Sequence, residues 1–257
     1  MCGIAAILLH PQERTDGDWQ AIREVFTQNL LFNEIRGKAA TGVALIRADG
    51  KSEVYKLPIS ATGFFATEKY RALLSSIDSE TTLLLGHTRH PTKGDPSNNG
   101  NNHPLQVGTV YGVHNGHIEN DDALFDQFGF PRQAEVDSEI IFRLLESLTS
   151  SQLNGGYLTE ICQRLQLLEG EFTFLSCDIR APEKLLVIRH QKPLSLYFHA
   201  GWNALVFSSR FLFLRKTFGR AVLFEPLPKD QLLLYDAFAL PHLGTRPVSV
   251  MSMPLSG

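Results

Sequence analysis

The chain has 257 residues, 43% hydrophobic and 20% charged content, and a formal net charge of −3 at pH 7. That length serves one large domain or at most two small ones, and the composition supplies ample apolar material for a closed core. Acidic and basic residues are mixed along the whole chain with no Lys/Arg run, which argues against nucleic acid or an anionic membrane as a direct partner.

Three cysteines, Cys2, Cys162 and Cys177, are too few and too irregularly spaced for a disulfide framework. An odd count fits a reducing compartment, where a free thiol survives. The apolar start lacks a basic leader and is broken at His10-Pro11, so it is too short for a signal peptide or a membrane span, and a cytoplasmic location is expected.

In chain order, residues 3–9 read as a buried strand, and Trp19, Ile22, Val25, Phe26, Leu30 and Leu31 predict an amphipathic helix over 17–33. Arg36-Gly37 and Thr41-Gly42 bracket a turn, and strands at 43–46 and 53–57 flank the hairpin signal Asp49-Gly50. A helix over 66–77 and a buried strand over 81–86 follow. The His-, Pro-, Gly- and Asn-rich stretch 87–103 is punctuated like a loop, and long loops inside compact domains are usually functional. A strand at 107–114 is expected to end in an Asn115-Gly116 turn. Helices then fall at 120–128, 137–149 and 157–168, strands at 171–178, 184–189, 194–199, 204–208, 221–225 and 231–236, and a short helix at 210–216. Residues 2–240 form the expected domain, with 241–257 an irregular tail. Strands, then clustered helices, then strands point to a layered α+β domain: two sheets face to face with helices outside.

The chemistry concentrates in a few motifs. Met1 before a small residue is a usual context for removal of the initiator, which would put a thiol and a free α-amine on Cys2. An amine with a reference pKa near ~8 can act as base toward its own thiol. Gly3 is expected to leave space for substrate. Asn115-Gly116 can offer a side-chain N–H and a backbone N–H side by side, as a tetrahedral oxyanion requires. Arg89 suits a substrate carboxylate and Asp137 a substrate ammonium. Each feature has a plainer explanation: a small buried hydrophobe, a turn, a solvated charge, and for Asp137 a helix N-cap.

The order Cys-Gly-Ile at 2–4, Arg-Gly and Thr-Gly within 36–42, His-Thr-Arg at 87–89, His-Pro at 103–104, His-Asn-Gly at 114–116, Val-Asp-Ser-Glu at 136–139 and Leu-Glu-Gly-Glu-Phe at 168–172 resembles the class II glutamine amidotransferases. The likeness covers roughly residues 2–215 and is greatest to the glutaminase domain of glucosamine-6-phosphate synthase. It implies the four-layer αββα sandwich of N-terminal-nucleophile hydrolases. It also implies Cys2 as nucleophile and base, Asn115 and Gly116 as oxyanion hole, and Arg89 and Asp137 as clamps for L-glutamine, with Thr92 and His103 shaping the pocket. No cofactor is implied. The ammonia acceptor is expected on a separate synthetase or acceptor-enzyme subunit, and homo-oligomerisation is left open. His90, Lys38-Ala39-Ala40 and Lys93 depart from the common family pattern and put the pocket wall and the coupling to an acceptor in question.

Besides a related amide hydrolase with another substrate, against which Arg89 and Asp137 argue as clamps for a free α-amino acid, two other readings compete. His87-x-x-His90, His103 and His114-x-x-His117 resemble metal-ligand spacing, but neither cysteine nor paired carboxylates stand beside them in sequence to complete a site. The other is a catalytically silent scaffold that keeps the fold for partner binding.

Overall fold

The computed structural model describes residues 1–148, 155–219 and 227–254. From the N-terminus, β1 (Gly3–Leu9) leads to α1 (Asp16–Asn33), β2 (Ala40–Arg47), β3 (Ser52–Leu57), α2 (Ala61–Phe65), α3 (Glu68–Ser75) and β4 (Thr81–Arg89). After a loop come β5 (Leu105–Val107), β6 (Val110–Ile118), α4 (Asp121–Phe128), α5 (Ser138–Glu146) and α6 (Gly155–Leu165). The chain continues through β7 (Gly170–Asp178), β8 (Lys184–Arg189), β9 (Ser195–His199), β10 (Ala204–Ser208), α7 (Phe211–Phe218), β11 (Gln231–Asp236), α8 (Leu240–Leu243) and β12 (Ser249–Ser252).

The strands form two six-stranded sheets, ordered β3-β2-β4-β1-β10-β9 and β12-β11-β8-β7-β6-β5. Side chains alternate between the faces of a strand, and that period of two builds the layers. Ile4, Ala6 and Leu8 of β1 point between the sheets and join Val113, Leu175 and Phe207 in the inner core. Ala5, Ile7 and Leu9 point outward against Trp19, Ile22, Phe26 and Leu30 of α1. The second sheet does the same, with Phe172, Phe174 and Ile188 outward against Ile140, Phe142 and Ile161 of α5 and α6. The result is an αββα sandwich, the expected layered α+β class. Among the described residues, no helix is long and apolar enough to cross a membrane.

α1 begins where the Thr15 hydroxyl accepts from the Asp18 N–H at 3.1 Å. Its far end is polar yet buried: the Asn29 amide donates to Phe207 O and that of Asn33 to Ser208 Oγ, which fasten the helix to β10. Leu31, expected on the apolar stripe, is instead 39% exposed.

Several elements differ from the sequence expectation. β4 runs on through His87 and Thr88 to Arg89, because these residues pair with β1 and β2. β6 passes straight through Asn115-Gly116, whose backbones pair with Thr173 and Phe172 of β7, so long-range pairing overrides a local turn signal. The expected irregular tail carries α8 and also β12, which pairs with β11. α2 and β5 are further additions. The strand expected at 221–225 lies outside the described residues.

Phe207 is fully buried between the sheets and meets the Tyr235 ring edge-on at 5.7 Å. Phe207→Ala should therefore cost about 3–5 kcal/mol in urea unfolding. An unchanged midpoint would mean that the interlayer core is not what holds the sheets together.

Candidate active site

Continuing the alternation of β1 one step back puts Cys2 on the interlayer side, at the open end of the sandwich. Its carbonyl accepts from Arg36 Nε at 2.7 Å. Its Sγ donates to His90 O and accepts from His90 N–H, both at 3.4 Å. Gly3 does not serve the substrate: a Cβ there would meet Thr88 Oγ1 at 2.5 Å and Asn33 Cβ at 2.7 Å, so protein occupies that space. Burial pushes the Cys2 thiol above its ordinary value, opposed by the backbone hydrogen bond from His90 and by the Arg89 charge. The thiol is thus protonated at neutral pH until a base removes its proton.

Facing Cys2 from the other sheet are Asn115 and Gly116. Asn115 is fully buried, and neither its side-chain nitrogen nor its oxygen has a hydrogen-bond partner among the described residues. A buried amide left open in this way is costly and is expected where a ligand will complete it. Gly116 has φ +138°, and a Cβ there would lie 1.9 Å from Glu171 O, so only glycine lets β6 pass this close to β7.

Arg89, at the end of β4, is buried, with Nη1 donating to Asn102 Oδ1 at 2.8 Å and Nη2 to Lys93 O at 2.7 Å and Gly94 O at 2.8 Å. Asp137 is equally buried. Its carboxylate does not cap α5, contrary to the capping alternative; it accepts from the Ile118 N–H at 2.7 Å. Cys2, Arg89, Thr92, His103, Gly116 and Asp137 all line one narrow cleft. Cys2, Thr92, Asn115 and Gly116 also line an adjoining, wider cleft, with His117, Glu171 and Lys192 on its other walls. All seven residues singled out in the sequence therefore gather at one end of the sandwich, and Cys2 is shared by both clefts.

Three buried histidines lie behind the site. His87 Nε2 donates to His114 O at 2.9 Å, and His114 Nδ1 lies 2.6 Å from Ser138 Oγ. His103 packs its ring 4.4 Å from that of His87, with both nitrogens unpartnered among the described residues. Burial depresses His87 to about 3, opposed by its hydrogen bond to His114. It depresses His114 to about 4, opposed by the Asp137 charge, and takes His103 well below its ordinary value. All three are neutral imidazoles at neutral pH. Among the described residues no group of three or more His, Cys, Asp or Glu side chains is arranged to hold a metal ion.

Sequence reasoning missed several contributors. Arg36, expected as part of a turn and of the Arg-Gly motif, anchors the backbone of Cys2. Asn102 holds Arg89 and, through its Nδ2, the loop at Pro96 O (2.8 Å). Lys93 turns away to pair with Asp121 at 2.7 Å. Glu171 of β7 and Lys192 of the β8–β9 loop form an ion pair at the mouth; Glu171 falls within the Leu-Glu-Gly-Glu-Phe motif, whereas Lys192 carries no local signal.

A family described as "Glutamine amidotransferase domain" matches residues 87–216, half of the chain. Among curated relatives, the glutamine–fructose-6-phosphate aminotransferase (isomerizing) of Corynebacterium diphtheriae is 30% identical over 80% of this chain and 32% of its own length. The Synechocystis enzyme of the same name is 31% identical over 78% and 31%. The chain thus spans about a third of the length of these relatives. Glutamine phosphoribosylpyrophosphate amidotransferase from B. subtilis shares the fold, with a TM-score of 0.71 at 18% identity over 99% of this chain and 50% of that one. The chain belongs to the class II glutamine amidotransferase domain family, and its architecture is the αββα sandwich of the N-terminal-nucleophile type.

Cys162 and Cys177 are buried while Cys2 is partly exposed, so iodoacetamide should modify one thiol of the folded protein. Because the thiol pKa is raised, the rate should go on climbing above about pH 9 rather than levelling off there. Peptide mass spectrometry reads both, and fast labelling at Cys162 or a plateau by about pH 8 would contradict this account.

Proposed function

We propose that this chain hydrolyses the side-chain amide of L-glutamine, using Cys2 as the nucleophile once Met1 has been removed. The observation that carries this reading is the unpartnered Asn115 amide beside Gly116, facing a thiol that lies between a buried cation and a buried carboxylate. A ligand that satisfies all of these needs an α-carboxylate for Arg89, an α-ammonium for Asp137 and a carbonyl that becomes an oxyanion near Asn115. Glutamine has these groups, and the matched relatives carry glutamine in their names.

In this mechanism Cys2 Sγ attacks the carboxamide carbon while the residue's own α-amine takes the thiol proton and delivers it to the departing ammonia. The Asn115 Nδ2–H and the Gly116 N–H receive the oxyanion, and water then cleaves the thioester to give glutamate. Thr92 and His103 complete the walls around the amino-acid head group. On this reading the released ammonia passes to an acceptor on a synthetase or acceptor-enzyme subunit.

Protein verified by intact mass to begin at Cys2 should release ammonia from glutamine and form a covalent adduct with a glutamine-mimicking diazoketone. Cys2→Ala should abolish both. Asn115→Ala should lower kcat by about 10²–10³-fold, and Arg89→Ala should chiefly raise KM, by about ten- to a hundredfold. Processed protein that gives neither ammonia nor adduct, with a natural partner supplied, would establish the silent scaffold instead.

A further inference from the structure

Residues that stand opposite one another in a β-ladder share a face of the sheet. Lys56 of β3 is opposite Gly42 of β2, and Gly42 is opposite His87 of β4. This row lies on the interlayer side, because Val54, two residues before Lys56, and Ala44, two after Gly42, both pack into the inner core. Across the sheet it presents a lysine, a gap and a histidine.

The segment Asn102-His103-Pro104 crosses that row. A Cβ at Gly42 would lie 2.1 Å from His103 O, so the segment's backbone occupies the space a side chain would take. On one side the His103 ring packs 4.4 Å from the His87 ring. On the other, Lys56 Nζ donates to Asn102 O at 2.7 Å and to Pro104 O at 3.1 Å. One ammonium thus grips the carbonyls of both neighbours of His103. Burial, and after it the Arg89 charge, lower this ammonium to about 8. An apolar side chain would fill the same space without the cost of burying a charge. What the amine contributes is a fixed segment.

The fixed segment carries two parts of the site. Asn102 Oδ1 accepts from Arg89 Nη1 at 2.8 Å, while the Asn102 amide nitrogen donates within the loop, to Pro96 O and Asn99 Oδ1. His103 has no side-chain hydrogen bond among the described residues, so its place in the narrow cleft follows from its backbone. Lys56 itself is not on the walls of either cleft that holds Cys2.

We propose that Lys56 is a positioning residue for glutamine binding: by clamping the carbonyls of Asn102 and Pro104, it fixes the Arg89 guanidinium through Asn102 and sets the His103 wall. The proposal rests on the reading in which Arg89 takes the α-carboxylate. Its effect falls on binding, because Cys2, Asn115 and Gly116 are held by other strands and not by this segment.

The test measures KM and kcat for glutamine in Met1-processed wild type, Lys56→Met, Lys56→Arg, Asn102→Ala and the Lys56→Met/Asn102→Ala double variant. Lys56→Met keeps the length of the side chain and removes its donors. It should raise KM about tenfold, the scale of a lost charge-assisted hydrogen bond, and leave kcat within about twofold. Lys56→Arg, which restores a cation with donors for both carbonyls, should recover most of that loss. The double variant should raise KM by much less than the product of the two single effects, because both act through Arg89. Should Lys56→Met fail to fold, Lys56→Gln carries the same expectation. A merely structural role would lower the melting temperature or kcat and leave KM where it was. An unchanged KM in an active Lys56 variant, or single effects that multiply in the double variant, overturns the proposal. Arg89→Ala with an unchanged KM removes instead the reading on which it rests, and wild-type protein without ammonia release removes the function.

Discussion

The site depends on the seating of the chain's first strand inside a six-stranded sheet. β1 lies between β4 and β10, with Gly3 opposite Thr88 and Ala5 opposite Ser208. Chain termini ordinarily fray unless something ties them down. Here the Ile4 N–H donates to Ser209 Oγ at 2.8 Å, the Cys2 carbonyl is held by Arg36, and Gly3 is packed without a Cβ against Thr88 and Asn33. Since a strand alternates with a period of two, a slip of one residue would turn Cys2 toward α1 and Ile4 away from the core. The hydrophobic requirement that Ile4, Ala6 and Leu8 stay between the sheets therefore also aims the thiol.

The second sheet completes the site from the other side under a similar constraint. Val113 is held in the inner core, and two residues further along β6 the same face presents Asn115. At that point the core ends and the clefts begin, so the residue that would be another Val or Leu is an amide with no partner among the described residues. Each such orphaned group costs about 1–3 kcal/mol. The fold accepts this cost at the mouth of the sandwich, where the inner core beneath holds both strands in place. Strain of this kind is expected where a site is organised before its ligand arrives.

How far the sequence foretold this depends on the range over which each signal acts. The strand over 3–9 and the helix over 17–33 were legible because apolar periodicity is local and the core faces agree with it. The cluster of Cys2, Arg89, Thr92, His103, Asn115, Gly116 and Asp137 was legible as an ordered set of short motifs, although no single motif would have carried it. What failed was decided by partners far along the chain. Asn115-Gly116 has the chemistry of a turn, but β7 supplies a full ladder and the strand runs on. Asp137 has the position of a cap, but the Ile118 N–H, 19 residues away, takes its carboxylate. Arg36 looked like a turn residue because its partner, the Cys2 carbonyl, lies 34 residues upstream. β12 follows Pro241 in a polar stretch, and it becomes a strand because β11 offers it an edge.

The electrostatics of the clefts follow from how their charges are partnered. A buried charge is tolerated where hydrogen bonds and an opposite charge answer it. Arg89 has the carbonyls of Lys93 and Gly94 and the Asn102 amide; Asp137 has the Ile118 N–H. On the proposed reading, a zwitterionic amino acid adds an opposite charge to each while bringing no net charge into the cleft. A simple amide would leave both clamps unanswered, and a monocation or monoanion would leave one, so discrimination arises from what the wrong ligand fails to satisfy. The three buried histidines belong to the same logic. Had they been cationic, they would have flooded Asp137 with competing charge; depressed by burial, they fill space and hold the strands without altering the balance between Arg89 and Asp137.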